Sequence, residues 1–518
     1  MKKSFIRNRK MRHGGITVAL TVLVIAVTLL VNAVFGSLAT RYNWMTDMNE
    51  LGLFEVTDEC YAYLEDVFSD ATANGRNAQV EIIFCDELKK LNEEPTQKQL
   101  YHTAKSLQER FPDHIVLNCY DILSDPTYVK QYATQENPHT GVFDAINIDT
   151  TDVVIRSDGY HRVYNLSEFF AFKENSAENL WGYNGERRLA AGIMRAVAPN
   201  LPKACLTTNH GEVFSDYEIL RVLEDAGYKV TYLDLYQETE VPADCSLVVT
   251  YNPMSDMIVS ENSDATKSER AKLDRFLSKD GNAFWFFSNN ATPTLENFES
   301  FMESWGVDYS YHTSNGHKYR YTVQDTAQSL TTDGCTIYGE AATAGKGAEI
   351  LSGLRSAAIF RDATAIVPAT GFVNNGDGSY TKGDRVLYSL YTGGESAVSW
   401  ANGVAVSDAD QAILMSLTEQ TLENNGRSYV GAFSSTGLAT EQFLQSAVYA
   451  NPDVLCAVTE EQGMENTPIS LTLKPYAQTE ISTVTTRQMT VWTLCLCLVP
   501  AVVIAAACGF VMIKRRRA

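Results

Sequence analysis

Thr208-Asn209-His210-Gly211-Glu212 is the stretch of this chain best composed for chemistry. A histidine and a carboxylate two residues apart can serve as an acid/base pair. The stretch follows a predicted strand and precedes a predicted helix, where α/β sheets place their ligand sites, and a helix start there can hold an anion. No nucleophile accompanies the pair. The same residues form a simple turn if Gly211 takes positive φ and Glu212 and Ser215 cap the next helix. We therefore read Asn209, His210, Gly211 and Glu212 as a candidate ligand-binding turn and assign no catalytic residue.

Tyr309, Tyr311, Tyr319 and Tyr321 form a second candidate set. Each pair is spaced i, i+2, so on a strand its members share a face. Such a patch suits a sugar or a peptide; ordinary cross-strand packing explains the spacing equally simply.

Other motifs fail on spacing. Gly339 to Gly347 ends in Gly345-Lys346-Gly347. A phosphate loop is one residue shorter and needs a hydroxyl where Gly347 stands. Asn374-Asn375-Gly376-Asp377-Gly378 starts like a calcium loop but lacks the closing glutamate, so a hairpin turn is expected. The eight histidines are dispersed, and the sequence contains no GxSxG, HExxH or paired CxxC. No metal or cofactor is expected.

The elements that must hold these residues fall into three segments. The first, 51–172, opens at Thr57, which can cap a helix carrying Tyr61, Leu64 and Val67. Val80 to Phe84 reads as a buried strand. Gln97 to Arg110 reads as a helix, Ile115 to Tyr120 as a strand, and Val153–Ile155 with Arg162–Tyr164 as a hairpin about Asp158-Gly159. A βαβ unit closed by a hairpin is a thioredoxin-like arrangement. The second segment, 185–455, alternates helices and continuously apolar strands, the mark of a parallel sheet covered on both faces. Its strands begin at Ala204, Lys229, Ser246 and Ala283; its helices include Glu186–Ala198, Phe214–Ala226 and Ser268–Leu277. A Gly-, Thr- and Tyr-rich β insertion, 309–385, interrupts it. Beyond it helices are expected at Asp408–Asn424 and Thr440–Ala450, with a strand at Tyr429–Ser434 between them. A polar stalk, 456–488, with one strand at Ile469–Leu473, completes this portion.

Two apolar runs frame the whole. Residues 16–38 and 489–513 are 23 and 25 residues long. As helices they would reach about 34 and 37 Å, enough for a hydrocarbon core of ~30 Å. Basic tails flank them: Lys2, Lys3, Arg7, Arg9, Lys10 and Arg12 in 1–15, and Lys514 to Arg517 in 514–518. Such flanks stay on the cytoplasmic side. The sequence thus predicts an α/β protein anchored in the cell membrane by two transmembrane helices, both termini cytoplasmic and the large middle portion extracytoplasmic. Ser37-Leu38-Ala39 resembles a cleavage site, but the run is longer than a signal peptide's apolar core, and Tyr42 and Trp44 follow as an aromatic belt. We read an uncleaved anchor.

All 63 acidic residues lie between the two runs, against 32 basic ones, a net charge of −31. A surface this acidic repels nucleic acid. Seven cysteines are scattered outside the runs, an odd number without pairing pattern, which excludes a disulfide scaffold.

Taken together these segments resemble the GldG-like, gliding-motility-associated auxiliary subunits of ABC transporters. Leu51 to Asp58 is similar to the family's "L-x-x-L-S/T-x-x-T" opening, and Asn209-His210-Gly211-Glu212 to its "GHGE" element, with Asn for the first Gly. Glu218 to Leu233 resembles the "L-x-x-x-L-x-x-x-G-Y-x-V" helix and strand. Asn252-Pro253 with Glu269 to Gly281 resembles the "P…E…L-x-x-F/Y-L-x-x-G-G" run, with Asp280 for the first Gly. The resemblance implies a thioredoxin-like domain followed by a glutamine-amidotransferase-like domain, and permease and ATPase partners. An amidotransferase would carry a Cys after the strand Ala283 to Phe287; here Ser288-Asn289-Asn290 follows. The expectation is a non-enzymatic extracytoplasmic subunit that binds or scaffolds. The alternatives are a membrane-anchored envelope hydrolase using His210 and Glu212, or a carbohydrate-binding surface protein using Tyr309 to Tyr321.

Overall fold

The computed structural model describes residues 53–476, except 137–142, 173–179, 199–200, 213–217, 260–267, 355–356, 402–403, 409–411, 445–448 and 465–472, together with scattered positions between 22 and 34. The chain through Lys474 forms one compact unit.

Thr57 starts the first helix, α1 (Asp58–Ala73), by accepting the Cys60 N–H on its hydroxyl at 3.3 Å. Leu64, Val67, Phe68 and Ala71 recur at helical spacing and are buried. The strand β1 (Val80–Phe84), the helix α2 (Pro95–Arg110) and the strand β2 (Ile115–Cys119) complete a βαβ unit with β1 and β2 parallel. The hairpin β3 (Val153–Ser157) and β4 (Tyr160–Tyr164) pairs antiparallel to β1, giving the order β2-β1-β3-β4.

The helix α3 (Gly185–Val197) is buried along its whole length and packs against α1, α2 and β3. It nevertheless carries Arg187, Arg188 and Arg195, each tied to a buried partner. Arg188 bridges Glu168 at 2.8 Å and Asp225; Arg187 meets Asp453 at 3.1 Å; Arg195 donates to the Tyr228 carbonyl at 2.6 Å. Three desolvated guanidiniums on one helix are tolerable only because these acceptors meet them.

The large sheet follows. Its strands β5 (Lys203–Thr207), β6 (Lys229–Leu233), β7 (Cys245–Tyr251) and β8 (Ala283–Phe287) are parallel, in the order β6-β5-β7-β8. Between them lie α4 (Glu218–Asp225) and α5 (Glu269–Leu277); α6 (Glu296–Ser304) follows β8. All five residues of β8 are buried, so it runs through the core with apolar neighbours on both faces. Val307–Tyr309 is β9, and the hairpin β10 (Tyr311–Ser314) and β11 (His317–Arg320) follows.

The far half of the sheet departs from the parallel expectation. The strands β12 (Val373–Asn374), β13 (Ser379–Lys382), β14 (Arg385–Thr392), β15 (Ile413–Thr421) and β16 (Arg427–Phe433) are joined antiparallel, and only β16 runs parallel to β8. The helix expected over Asp408–Asn424 is instead the strand β15. Its first seven residues are buried, and its backbone is paired on both sides, to β14 and β16. That double ladder overrides the helix-forming composition of the segment. Residues 456–461, read as the start of a stalk, belong to α7 (Asn451–Glu461), whose Val454, Leu455, Cys456 and Val458 lie in the core. The helix expected at Thr440–Ala450 is described only as Glu441–Leu444.

The membrane-anchored part of the predicted fold is corrected. Among the described residues no helix is long and apolar enough to cross a membrane. A span needs about 20 consecutive helical residues, and the helical positions described within 16–38 fall between Val22 and Val34. The second run, 489–513, both basic tails and most of Ile469–Leu473 lie outside the described residues. The two-span topology, the membrane localisation and the cytoplasmic termini inferred from those runs are withdrawn with it.

Candidate functional site

The candidate turn sits at the carboxyl end of β5, beside that of β7. Chain order changes direction there: β6 lies on one side of β5 and β7 on the other. Such a switch point is where open α/β sheets form a crevice. Asn209 and Gly211 both adopt left-handed backbone, φ 83° and 79°, which folds the loop back over the strand ends. The His210 carbonyl then accepts the N–H groups of Met254 at 2.7 Å and Ser255 at 2.9 Å from the loop after β7.

This folding drives His210 inward, to 3% exposure. Its Nδ1 lies 2.9 Å from Glu212 Oε1 and its Nε2 3.1 Å from Glu269 Oε2. Glu212 also accepts the His210 N–H at 2.7 Å and the Thr207 hydroxyl at 2.7 Å. Glu269 is the first residue of α5, whose start Ser268 caps by accepting the Ala271 N–H; Glu269 also accepts the Ile258 N–H at 2.6 Å. The Phe298 ring closes the edge of the imidazole at 5.3 Å. Lys272, fully buried one turn along α5, donates to the Leu235 carbonyl at 2.5 Å.

Burial pushes the imidazole toward neutrality, but the hydrogen bonds and charges of the two glutamates outweigh it and raise His210 to about 9. Glu212 is likewise opposed by burial, yet its bonds to His210 and Thr207 hold it below the ordinary carboxylate range. At neutral pH the group is an imidazolium clamped between two carboxylates. Both nitrogens donate, so neither has a lone pair for a proton or a metal. Among the described residues no group of three or more His, Cys, Asp or Glu is arranged to hold a metal ion.

Of the predicted site residues, His210 and Glu212 come together and Asn209 and Gly211 face outward. Glu269 and Thr207 were missed. Glu269 stands in a stretch read as a helix start and as part of the motif run Glu269 to Gly281, and nothing local signals its partner. Ser288, the first residue after β8, is fully buried and donates to the Tyr309 hydroxyl at 3.4 Å.

The four tyrosines do not share a surface. In the β10–β11 hairpin Tyr311 stands opposite Arg320 and His312 opposite Tyr319. Tyr309 and Tyr311 therefore lie on the Arg320 face, with the guanidinium 4.0 Å from the buried Tyr309 ring. Tyr319 and Tyr321 lie on the other face, stacked on either side of His312 at 5.5 Å each. Of the four, Tyr319 is the one that is exposed. Gly345-Lys346-Gly347 opens a short helix, and a Cβ on Gly347 would sit 2.9 Å from the Ser389 carbonyl. Asn375 to Gly378 form the turn between β12, which ends at Asn374, and β13.

No protein-family model matches this chain, and no curated protein matches it. Three solved structures are similar over about half of it. The mmIFT52 N-terminal domain covers 50% of this chain and 97% of its own at 10% identity and a TM-score of 0.36. The exo-beta-1,4-mannosidase Op5Man5 from Opitutaceae bacterium strain TAV5 covers 56% and 38% at 9% identity and 0.23. PurLQS from Thermotoga maritima covers 52% and 95% at 11% identity and 0.22. At these TM-scores none of the three bears on fold or function.

Proposed function

We propose that this chain is a non-catalytic binding or scaffolding subunit of an ABC-type transport system, working beside a permease and an ATPase. The observation that carries the non-catalytic half is the double clamp on His210: the residue best suited to acid/base work has both ring nitrogens engaged by buried carboxylates. The order and spacing of the motifs from Leu51 to Gly281 support the transporter half. In that setting the energy comes from the partner ATPase, and this chain contributes contacts.

The test is quantitative affinity purification of the tagged full-length chain from cells opened in mild detergent. A permease and an ATPase should co-purify in near-equal amounts. Recovering neither would remove the transporter half. A hydrolytic activity of the purified chain that is lost in His210→Ala would overturn the non-catalytic half.

A further inference from the structure

The strand β2 is the outer strand of the four-stranded sheet, and among the described residues no strand pairs with its other edge. The bonds from Val80 N–H to the His114 carbonyl and from Tyr120 N–H to the Phe84 carbonyl, both 2.8 Å, bracket its parallel ladder. They fix the alternation: Val116 and Asn118 turn their backbone groups to β1, and Ile115, Leu117 and Cys119 turn theirs outward. The Ile115 N–H is used by the Phe111 carbonyl. Among the described residues the N–H and C=O of Leu117 and the N–H of Cys119 meet no hydrogen-bond partner.

Natural edges are usually blunted by lysine, proline or a bulge. The edge strand β6 begins with Lys229, and β12 is only two residues long. On the edge strand β4, Arg162 is bound to Glu224 at 2.7 Å. Ile115-Val116-Leu117-Asn118-Cys119 has none of these devices. Val116 is 45% exposed on its open face, and Leu123, just past the strand, is 71% exposed.

The ends of this edge are acidic. Asp113 precedes it; Asp121 and Asp125 follow, with Asp86 and Glu87 beside them and Lys90 paired to Asp86 at 3.1 Å. Asp121 accepts from Ser124 and from the Leu123 N–H, and Asp125 from Thr127 twice, so both are fixed in place as carboxylates. A second copy added antiparallel would set Asp113 of one chain against Asp121 of the other, a like-charge clash at both ends.

We propose that β2 is a docking edge for one extended peptide segment of a partner protein. The segment adds as a fifth strand, carries Lys or Arg at both ends, and sets a β-branched residue against Val116. Main-chain bonds to Leu117 and Cys119 supply the affinity, and the charges at the ends supply the choice. This goes beyond the transporter reading and does not depend on it.

The test uses the full chain and two synthetic peptides, Lys-Thr-Val-Thr-Val-Thr-Lys and its Glu-ended counterpart, both blocked at the termini. The Lys-ended peptide should bind in fluorescence anisotropy, slow amide exchange at Leu117 and Cys119, and exceed the Glu-ended one by about tenfold or more in affinity. Val116→Lys and Leu117→Pro should each weaken it by at least about tenfold with unchanged circular dichroism, since Leu117 turns its N–H away from β1 and neither change removes a backbone bond of the β1–β2 ladder. Asp121→Asn with Asp125→Asn should shrink the preference between the peptides and leave the exchange protection. Equal affinity for both peptides, or binding without protection at Leu117, overturns the proposal. So does protection of Leu117 by the chain's own dimerisation in the absence of peptide.

Discussion

Glu269 Oε2 lies 3.1 Å from His210 Nε2, although 59 residues separate them in the chain. The contact ties the loop after β5 to the first turn of α5, and it decides how this region responds to pH. The folded imidazole titrates at about 9, above its ordinary range near 6.5. Its contribution is therefore complete below about pH 6.5 and is lost as pH rises through about 9, a difference of roughly 3 kcal/mol. Urea midpoints measured from pH 6 to 10 should fall across that window in the native chain and much less in His210→Gln. His210→Ala, which leaves two buried carboxylates unpaired, should cost about 3–5 kcal/mol at pH 7. A flat native profile would show that His210 is neutral in the fold.

Gly211 and Asn209 make a second, purely conformational prediction. Both hold φ near +80°, and a Cβ on Gly211 would meet Met254 Cβ at 3.0 Å. Gly211→Ala should destabilise by about 1–2 kcal/mol, and Asn209→Gly should be neutral to slightly stabilising. The readout is the thermal midpoint. Equal effects of the two substitutions would mean that the turn relaxes freely.

These two cases show what the sequence makes legible. Thr57 and Gly211 announce themselves because a cap or a left-handed turn is decided within a few residues. The strands β5, β7 and β8 are legible because continuous apolar runs bounded by polar turns have few other uses. The Glu269 clamp is not legible, since it depends on how α5 docks on the sheet. The identity of β15 is hidden because its strand character comes from pairing with β14 and with β16, the latter just across the 422–426 turn, and not from its local composition. The terminal runs show the converse error. Their hydropathy predicts spanning helices, and no described helix is long and apolar enough to be one.

The tyrosine register gives a third prediction. Tyr309 is buried under Arg320, and Tyr319 is 48% exposed on the opposite face. Tyr309→Ala should cost about 3–5 kcal/mol, in the range of large aromatic truncations, and Tyr319→Ala within about 0.5 kcal/mol. Chemical denaturation of the two variants decides it. Comparable losses would mean that the hairpin register is different.

The last prediction concerns α3, which carries its charges between the two sheets. Arg188 is 2% exposed and meets both Glu168 and Asp225, and Arg162 meets Glu168 at 3.7 Å and Glu224 at 2.7 Å. Removing the guanidinium takes Asp225's buried partner and leaves Glu168 only Arg162, so Arg188→Ala should cost about 3–5 kcal/mol. Replacing the whole group, Arg188→Met with Glu168→Gln and Asp225→Asn, should recover much of that loss, because the uncompensated charges leave with it. The comparison separates two roles. If the charges stabilise the fold outright, the triple variant stays as weak as Arg188→Ala. If they chiefly fix how α3 seats between the sheets, the triple variant regains stability while amide exchange in α3 and α4 quickens. The burial of Arg188 and Asp225 favours the second outcome, since desolvation cancels most of their mutual attraction. Urea midpoints and site-resolved exchange on the same samples distinguish the two.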